Sequence, residues 1–292
     1  MMELERMETE LNGAPLNAAG TIELDGKRFL REPEDVYHAL SKSGQTVSSH
    51  MLAVFRDSPV LYHKMISGEV AFPESDAFRF GRAAHKYLLE GSAAFERDFM
   101  VADGPINPKT MQPYGASTKA YSEWAAKLEK PVIASSELEL IRKMYSAICA
   151  NEHAVELLES GVAEAVIRET VCGVPCQIRM DWVNPIFGIV DLKTCDSLKE
   201  FERDARKYGY LAQMAFYRMV YEFSALEGAS CYLIAVEKRE PYSCGVWRCD
   251  ADALDEEEER IKINLRRLAE CRKSGVWPTG YELVRILRST YR

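Results

Sequence analysis

A chain of 292 residues with 47% hydrophobic and 28% charged content has the balance of a globular protein with a sizeable core, in one large domain or two modest ones. Its net charge of −8 argues against coating nucleic acid by general electrostatics, which needs a basic surface to displace counterions, but leaves room for a local basic channel. No run approaches the roughly eighteen apolar residues of a membrane span, and the opening MMELERMETELNG has no apolar signal core, so no membrane contact and a cytoplasmic location are expected.

Residues 1–32 read as a flexible arm with one short hairpin signal, Thr21-Ile22-Glu23-Leu24 followed by Gly26-Lys27-Arg28-Phe29. Residues 33–292 read as a single domain, with a helical layer over about 33–160 and an α/β core over about 161–292. In the first part Ser48 or Ser49 caps HMLAVF, Asp76 precedes AFRFGRAAHKYLLE with Gly91 behind it, and Ser117 precedes TKAYSEWAAKLEK with Pro131 behind it. The period then changes to short β-rich runs around 165–171, 177–183 and 187–192, separated by GVP and NP turns, which predicts a three-stranded meander. One amphipathic helix is expected from about Glu200 to Glu222, then strands at 230–236 and 245–247, and a charged helix from Asp252 to about Ser274. The eight cysteines are scattered; Cys172 and Cys176 flank a turn with no second tight pair to complete a zinc site, so free structural thiols are expected.

Asp181 and Asp191 fall near the ends of neighbouring predicted strands, and Lys193 follows Asp191 on the same face. Two carboxylates converging on a divalent cation, with a lysine beside the phosphate, are what phosphodiester hydrolysis requires. A D-x-K triplet alone is a weak signal that chance often produces. Its companions sharpen it: His85 lies in the helix after Gly81, and Gln213 and Tyr217, four apart, share a helix face.

His, Asp, Asp-x-Lys and Gln-x-x-x-Tyr in that order resemble the RecB-type branch of the PD-(D/E)XK nuclease superfamily, and the segments FGRAAHKYLLEG, RMDWVNP, GIVDLKT, YGYLAQMAFYRMVY and SGVWPTGY resemble the phage RecE (exonuclease VIII) family over residues 45–285. The resemblance implies an α/β PD-(D/E)XK (restriction-endonuclease-like) core, a mixed β-sheet flanked by helices with N-terminal helical additions. It implies Mg²⁺, with Mn²⁺ as a substitute, held by His85, Asp181, Asp191 and the backbone carbonyl of Leu192, with Lys193 as the catalytic lysine and Gln213 and Tyr217 supporting it. Either Glu164 or Glu169 would be the family's upstream acid, and Ser48, Ser49, Arg79 and Arg82 are candidates for DNA contact, Ser48 equally a plain helix cap. The four-cysteine iron–sulfur cluster of some RecB-like relatives is not expected, because the first cysteine, Cys149, comes after His85.

The implied activity is an exodeoxyribonuclease that degrades one strand of linear duplex DNA from its end, 5′ to 3′, leaving 3′ tails for recombination. The implied partners are double-stranded DNA ends, further copies of the chain in a homo-oligomeric ring, and a single-strand annealing protein. Lys199, Arg203, Arg206 and Lys207 would line the ring's inner wall, unless they form an ordinary solvated helix face. Two alternatives remain: a DNA-end binding or recombination scaffold protein that does not cleave, and a RecB-like endonuclease or single-strand nuclease.

Overall fold

The computed structural model describes residues 20–24, 26–72, 76–224 and 228–286. A hairpin of β1 (Gly20–Leu24) and β2 (Lys27–Arg31) comes first. The helical stretch follows: α1 (Glu34–Lys42), α2 (Ser49–Asp57), α3 (Pro59–Ile66), α4 (Asp76–Asp98), α5 (Lys119–Ala125), α6 (Ser135–Cys149) and α7 (Glu152–Leu158). Inside that stretch β3 (Met100–Val101) and β4 (Val132–Ile133) form a small parallel pair of their own. The predicted meander is β5 (Val162–Val171), β6 (Val174–Asn184) and β7 (Gly188–Cys195), its neighbours antiparallel. A 3-10 turn at Leu198–Glu200, α8 (Phe201–Tyr208) and α9 (Tyr210–Phe223) then cross over to β8 (Cys231–Glu237), which lies parallel to β7. Antiparallel β9 (Cys244–Arg248) and the long α10 (Ala251–Ser274) complete the fold.

The main sheet has seven strands in the order β1-β2-β5-β6-β7-β8-β9. A parallel neighbour needs a crossover, which α8 and α9 supply, and so a mixed sheet with helices on both faces results. One buried cluster joins Met51 and Phe55 of α2, Phe216 and Val220 of α9 and Leu265 of α10 to Ile178, Ile189 and Leu233 of the sheet. The other joins Ala84 and Leu88 of α4 and Ile141 and Met144 of α6 to Trp182, Val190, Leu192 and Ile234. Both faces of the central strands are therefore covered.

Four expectations change. The arm expected over residues 1–32 contains a hairpin that joins the sheet: β2 pairs with β5 through Leu30↔Val166, and Phe29, 1% exposed, packs into the core, so β1 and β2 extend the sheet, while residues 1–19 lie outside the described residues. The helix expected from Glu200 to Glu222 is two helices, because Gly209 adopts φ 71°, a left-handed conformation open to glycine at little cost. Helix α5 is capped by Thr118 rather than Ser117 and ends at Ala125, short of the predicted extent. Gly91 does leave the helical conformation, at φ 84° and ψ 174°, but the chain resumes helix at once, so α4 continues to Asp98.

The turn into β7 has its own steric demand. Gly188 has φ 99°, and a Cβ there would lie 2.5 Å from the Ser230 carbonyl oxygen. A bare backbone lets β7 start tight against the residue preceding β8, with Ile189 N–H donating to Ser230 O at 2.9 Å.

Candidate active site

Pairing between β6 and β7 runs Asn184↔Gly188, Val183↔Ile189 and Trp182↔Val190 and then stops. The next pair in register is Asp181 and Asp191, so the carboxylates stand opposite each other where the ladder opens, within their strands rather than at strand ends. The opening leaves the Leu192 N–H without a strand partner, and Asp181 Oδ2 accepts it at 2.9 Å. A side chain thereby replaces a ladder bond that burial would make costly to lose.

Asp191 is 1% exposed. Its Oδ1 accepts from Gln213 Nε2 at 3.0 Å, and its Oδ2 lies 2.5 Å from Lys193 Nζ. Lys193 Nζ also donates to Gln213 Oε1 at 3.1 Å, and the Gln213 amide donates to the Tyr217 hydroxyl at 3.1 Å. Gln213 and Tyr217 reach the site because residues four apart on α9 share the face turned toward β7. Burial pushes the Asp191 carboxyl up to about 6, with Lys193 opposing and Asp181 reinforcing the rise. Burial works against charge on Lys193, yet Asp191 and Asp181 outweigh it and raise the ammonium's pKa.

On the other side, His85 Nδ1 from α4 lies 3.3 Å from Asp181 Oδ2. Burial disfavours a charged imidazole, but the Asp181 carboxylate prevails and raises it; in return His85 overcomes burial to lower Asp181.

Register separates the two strand glutamates. Ala163↔Trp182 and Ala165↔Met180 put Glu164 of β5 opposite Asp181, whereas Glu169 pairs with Cys176, five positions along. Glu164 carries φ +59°, a costly backbone for a non-glycine residue, and the in–out alternation slips there: Val162, Ala165 and Ile167 join one core cluster and Ala163 the other. Its carboxylate pairs with Arg179. Burial nevertheless pushes Glu164 up to about 7, with Asp181 adding to the rise against Arg179.

The remaining candidates separate clearly. Ser48 is the N-cap of α2, accepting from the Met51 N–H at 3.3 Å, and Ser49 is the helix's first residue. Both follow Val47, which bridges to Cys176, five residues along β6 from Asp181 or about 16 Å at ~3.3 Å per residue. Arg79 is committed to packing: Nη1 donates to the Val132 carbonyl at 2.7 Å and to Glu137 at 3.0 Å, and Nη2 donates to Glu137 at 2.8 Å. Arg82, one turn before His85, keeps a half-exposed side chain whose contact with Glu34 is 3.9 Å. Lys199, Arg203, Arg206 and Lys207 are all exposed around the start and body of α8, Arg203 pairing with Glu200 at 2.6 Å. None of the eight cysteines, all among the described residues, is joined in a disulfide.

Two contributors were not singled out from sequence. Tyr210 sets its ring 4.8 Å from Lys193 Nζ, and Arg179 holds Glu164. The signal for Tyr210 was available, since it stands three residues before Gln213 on the same helix face.

The donor set fits a divalent cation. Asp181 and Asp191 are opposed across the open ladder, Glu164 stands opposite Asp181 on its other side and His85 meets Asp181, a set of hard oxygens and an imidazole that suits such an ion, and Asp191 Oδ2 is buried without a well-directed hydrogen bond despite its lysine neighbour. Among the described residues no three His, Cys, Asp or Glu side chains are gathered into a ready-made cage. The candidates instead form two pairs, His85–Asp181 and Lys193–Asp191, in which protein cations offset the acids' charge.

A mixed sheet between helical layers, with opposed acids and a lysine at a splayed strand pair, is the PD-(D/E)XK architecture. The family described as a PDDEXK-like domain of unknown function (DUF3799) matches residues 48–290, and the chain belongs to it. The crystal structure of an Eubacterium rectale protein provisionally described as an exonuclease superposes with a TM-score of 0.64 at 16% identity, covering 90% of this chain and 96% of that one. At that identity the likeness is one of fold. No curated protein matches the chain in sequence.

Proposed function

We propose that the chain is a RecE-like exodeoxyribonuclease, degrading one strand of linear duplex DNA from its end, 5′ to 3′, to leave 3′ single-stranded tails. The observation that carries the hydrolytic reading is Asp181 opposite Asp191 with Lys193 held on Asp191 by Gln213. End dependence and polarity rest on the sequence resemblance.

His85, Asp181, Asp191 and the Leu192 carbonyl would hold Mg²⁺ or Mn²⁺, with Glu164 as a further oxygen donor. A divalent cation bound there supplies an acidified water and neutralises charge on the phosphate. Lys193 would present a half-buried ammonium to the developing negative charge, its donors aimed in advance by Gln213 and Asp191. Gln213 fixes both partners at once, because donating to Asp191 leaves its Oε1 turned to Lys193. Arg82 and Lys199, Arg203, Arg206 and Lys207, all exposed, would meet phosphates, which would reconcile binding with the chain's net charge of −8.

In this reading several copies form a ring around the duplex, the product strand passes to a single-strand annealing protein, and the protein works in the cytoplasm. No helix among the described residues is long and apolar enough to cross a membrane.

The test is digestion of linear and closed circular duplex with Mg²⁺, each strand labelled in turn at its 5′ end. Wild type should consume only the linear form from 5′ ends, and Asp191→Ala and Lys193→Ala should lose on the order of a hundredfold or more in rate. Intact DNA with wild type, or unimpaired variants, would overturn hydrolysis at this site; cut circles would make it an endonuclease. A strictly monomeric protein on DNA in gel filtration would remove the ring.

A further inference from the structure

Aromatic rings continue outward from the lysine of the candidate site. Tyr210 covers Lys193 Nζ at 4.8 Å, and Tyr208 stacks on Tyr210 with ring centroids 6.0 Å apart and planes inclined by 29°. In an unbroken helix residues two apart point to different sides. Here Gly209, at φ 71°, ends α8 and starts α9 between the two tyrosines, and this break brings their rings together. Tyr210 is half-buried, but Tyr208 is 59% exposed, an unusual place for a large ring already stacked on its inner side. Its surroundings are basic: Lys207 Nζ lies over the Tyr208 ring, 4.8 Å from its centroid, and donates to its hydroxyl at 3.2 Å, and Arg206 beside it is exposed.

We propose that Tyr208 is a stacking platform for a nucleobase of the strand being cleaved, within one or two nucleotides of the phosphate at Lys193. The proposal rests on the nuclease reading above for its substrate class. A largely exposed ring, attended by a flexible lysine that can turn to a phosphate as a base takes its place and continuous with the site, is how single-stranded nucleic acid is held without reading its sequence. A paired, stacked base in a duplex cannot present its face to such a ring. Tyr208 therefore favours an unpaired nucleotide at the site, and so a frayed end over duplex interior.

Two measurements separate this proposal from the one it rests on. The first compares KM for linear duplex whose terminal nucleotides on the degraded strand carry bases with KM for the same duplex with abasic residues there. Wild type and Tyr208→Phe should prefer the substrate with bases by about tenfold, and Tyr208→Ala should lose that preference with little change in kcat. The second uses single-stranded DNA carrying 2-aminopurine, bound without divalent cation: emission should fall on binding to wild type and Tyr208→Phe, but not to Tyr208→Ala. Cleavage that shows no Tyr208-dependent preference, with no Tyr208-dependent quenching, overturns the platform and leaves the nuclease reading intact. Quenching that depends on Tyr208 in a protein that cleaves nothing supports the platform and removes the nuclease. Thermal melting of Tyr208→Ala close to wild type checks that the exposed side chain was not holding the fold.

Discussion

The side-chain amide of Gln213 donates to Asp191 Oδ1 at 3.0 Å. The same amide accepts from Lys193 Nζ at 3.1 Å, so one uncharged residue orients an acid and a base that are two positions apart on β7. Gln213→Glu removes the donor and places a second carboxylate against a buried Asp191. Its kcat should fall roughly 10–100-fold, the usual cost of removing an orienting partner, and the acid limb of its pH–rate profile should move upward. A variant with wild-type kcat and an unmoved profile would show that Gln213 is only a packing residue.

Glu164 and Glu169 lie on one strand, but only Glu164 stands opposite Asp181. Glu164→Gln should reduce metal-dependent cleavage at least about tenfold, and Glu169→Gln should leave it unchanged. Equal effects of the two substitutions, measured at saturating Mg²⁺, would remove Glu164 from the site.

Arg79 and Arg82 are both arginines of α4 with opposite expected behaviour. Arg79 anchors the start of α6 through Glu137 and the Val132 carbonyl, so Arg79→Ala should lose about 1–3 kcal/mol of stability by denaturant unfolding. Arg82→Ala should keep wild-type stability, weaken DNA binding and lower the slope of log affinity against log salt by about one. If instead Arg82→Ala destabilises the fold with DNA binding intact, Arg82 is not a phosphate contact.

Protein stripped with EDTA should lose stability as pH rises from about 5 to 8. Burial raises Glu164 from 4.5 to about 7 and Asp191 from 3.8 to about 6, so the folded state binds protons that the unfolded state has released. Their contribution is complete below the unfolded values and disappears as pH passes the folded ones. Asp181, lowered through His85 against the effect of burial, acts only in acid, below its ordinary value of 3.8. Mg²⁺, if bound as proposed, would take the place of the protons and should flatten the profile. Calorimetric Tm values in EDTA that stay level or climb over that range would contradict this account.

How much was legible in the sequence follows from which physics acts locally. The period change near residue 161, the turns of the meander and the charged C-terminal helix are properties of neighbouring residues, and they appear where expected. Strand spacing put Asp181, Asp191 and Lys193 together and helical spacing paired Gln213 with Tyr217, but both signals were weak alone, and His85 stood out only through the order of motifs and the family resemblance that order carries. The hairpin was legible as a hairpin, but not as part of the sheet. Its docking depends on Phe29 finding a core whose other residues, such as Tyr221, lie nearly two hundred positions away.

Only the tertiary structure could set Glu164 opposite Asp181 and Glu169 opposite Cys176, since both are strand glutamates and the difference is which residue faces each across β6. It also decided that Arg79 is consumed by Glu137 while Arg82 is not, and that one glycine divides a helix and stacks Tyr208 on Tyr210. The sequence by itself determined which chemical groups the chain carries and which of them share a helix face or a strand. Which of them meet across strands and helices is set by register and packing, because those contacts arise between segments that no local pattern joins.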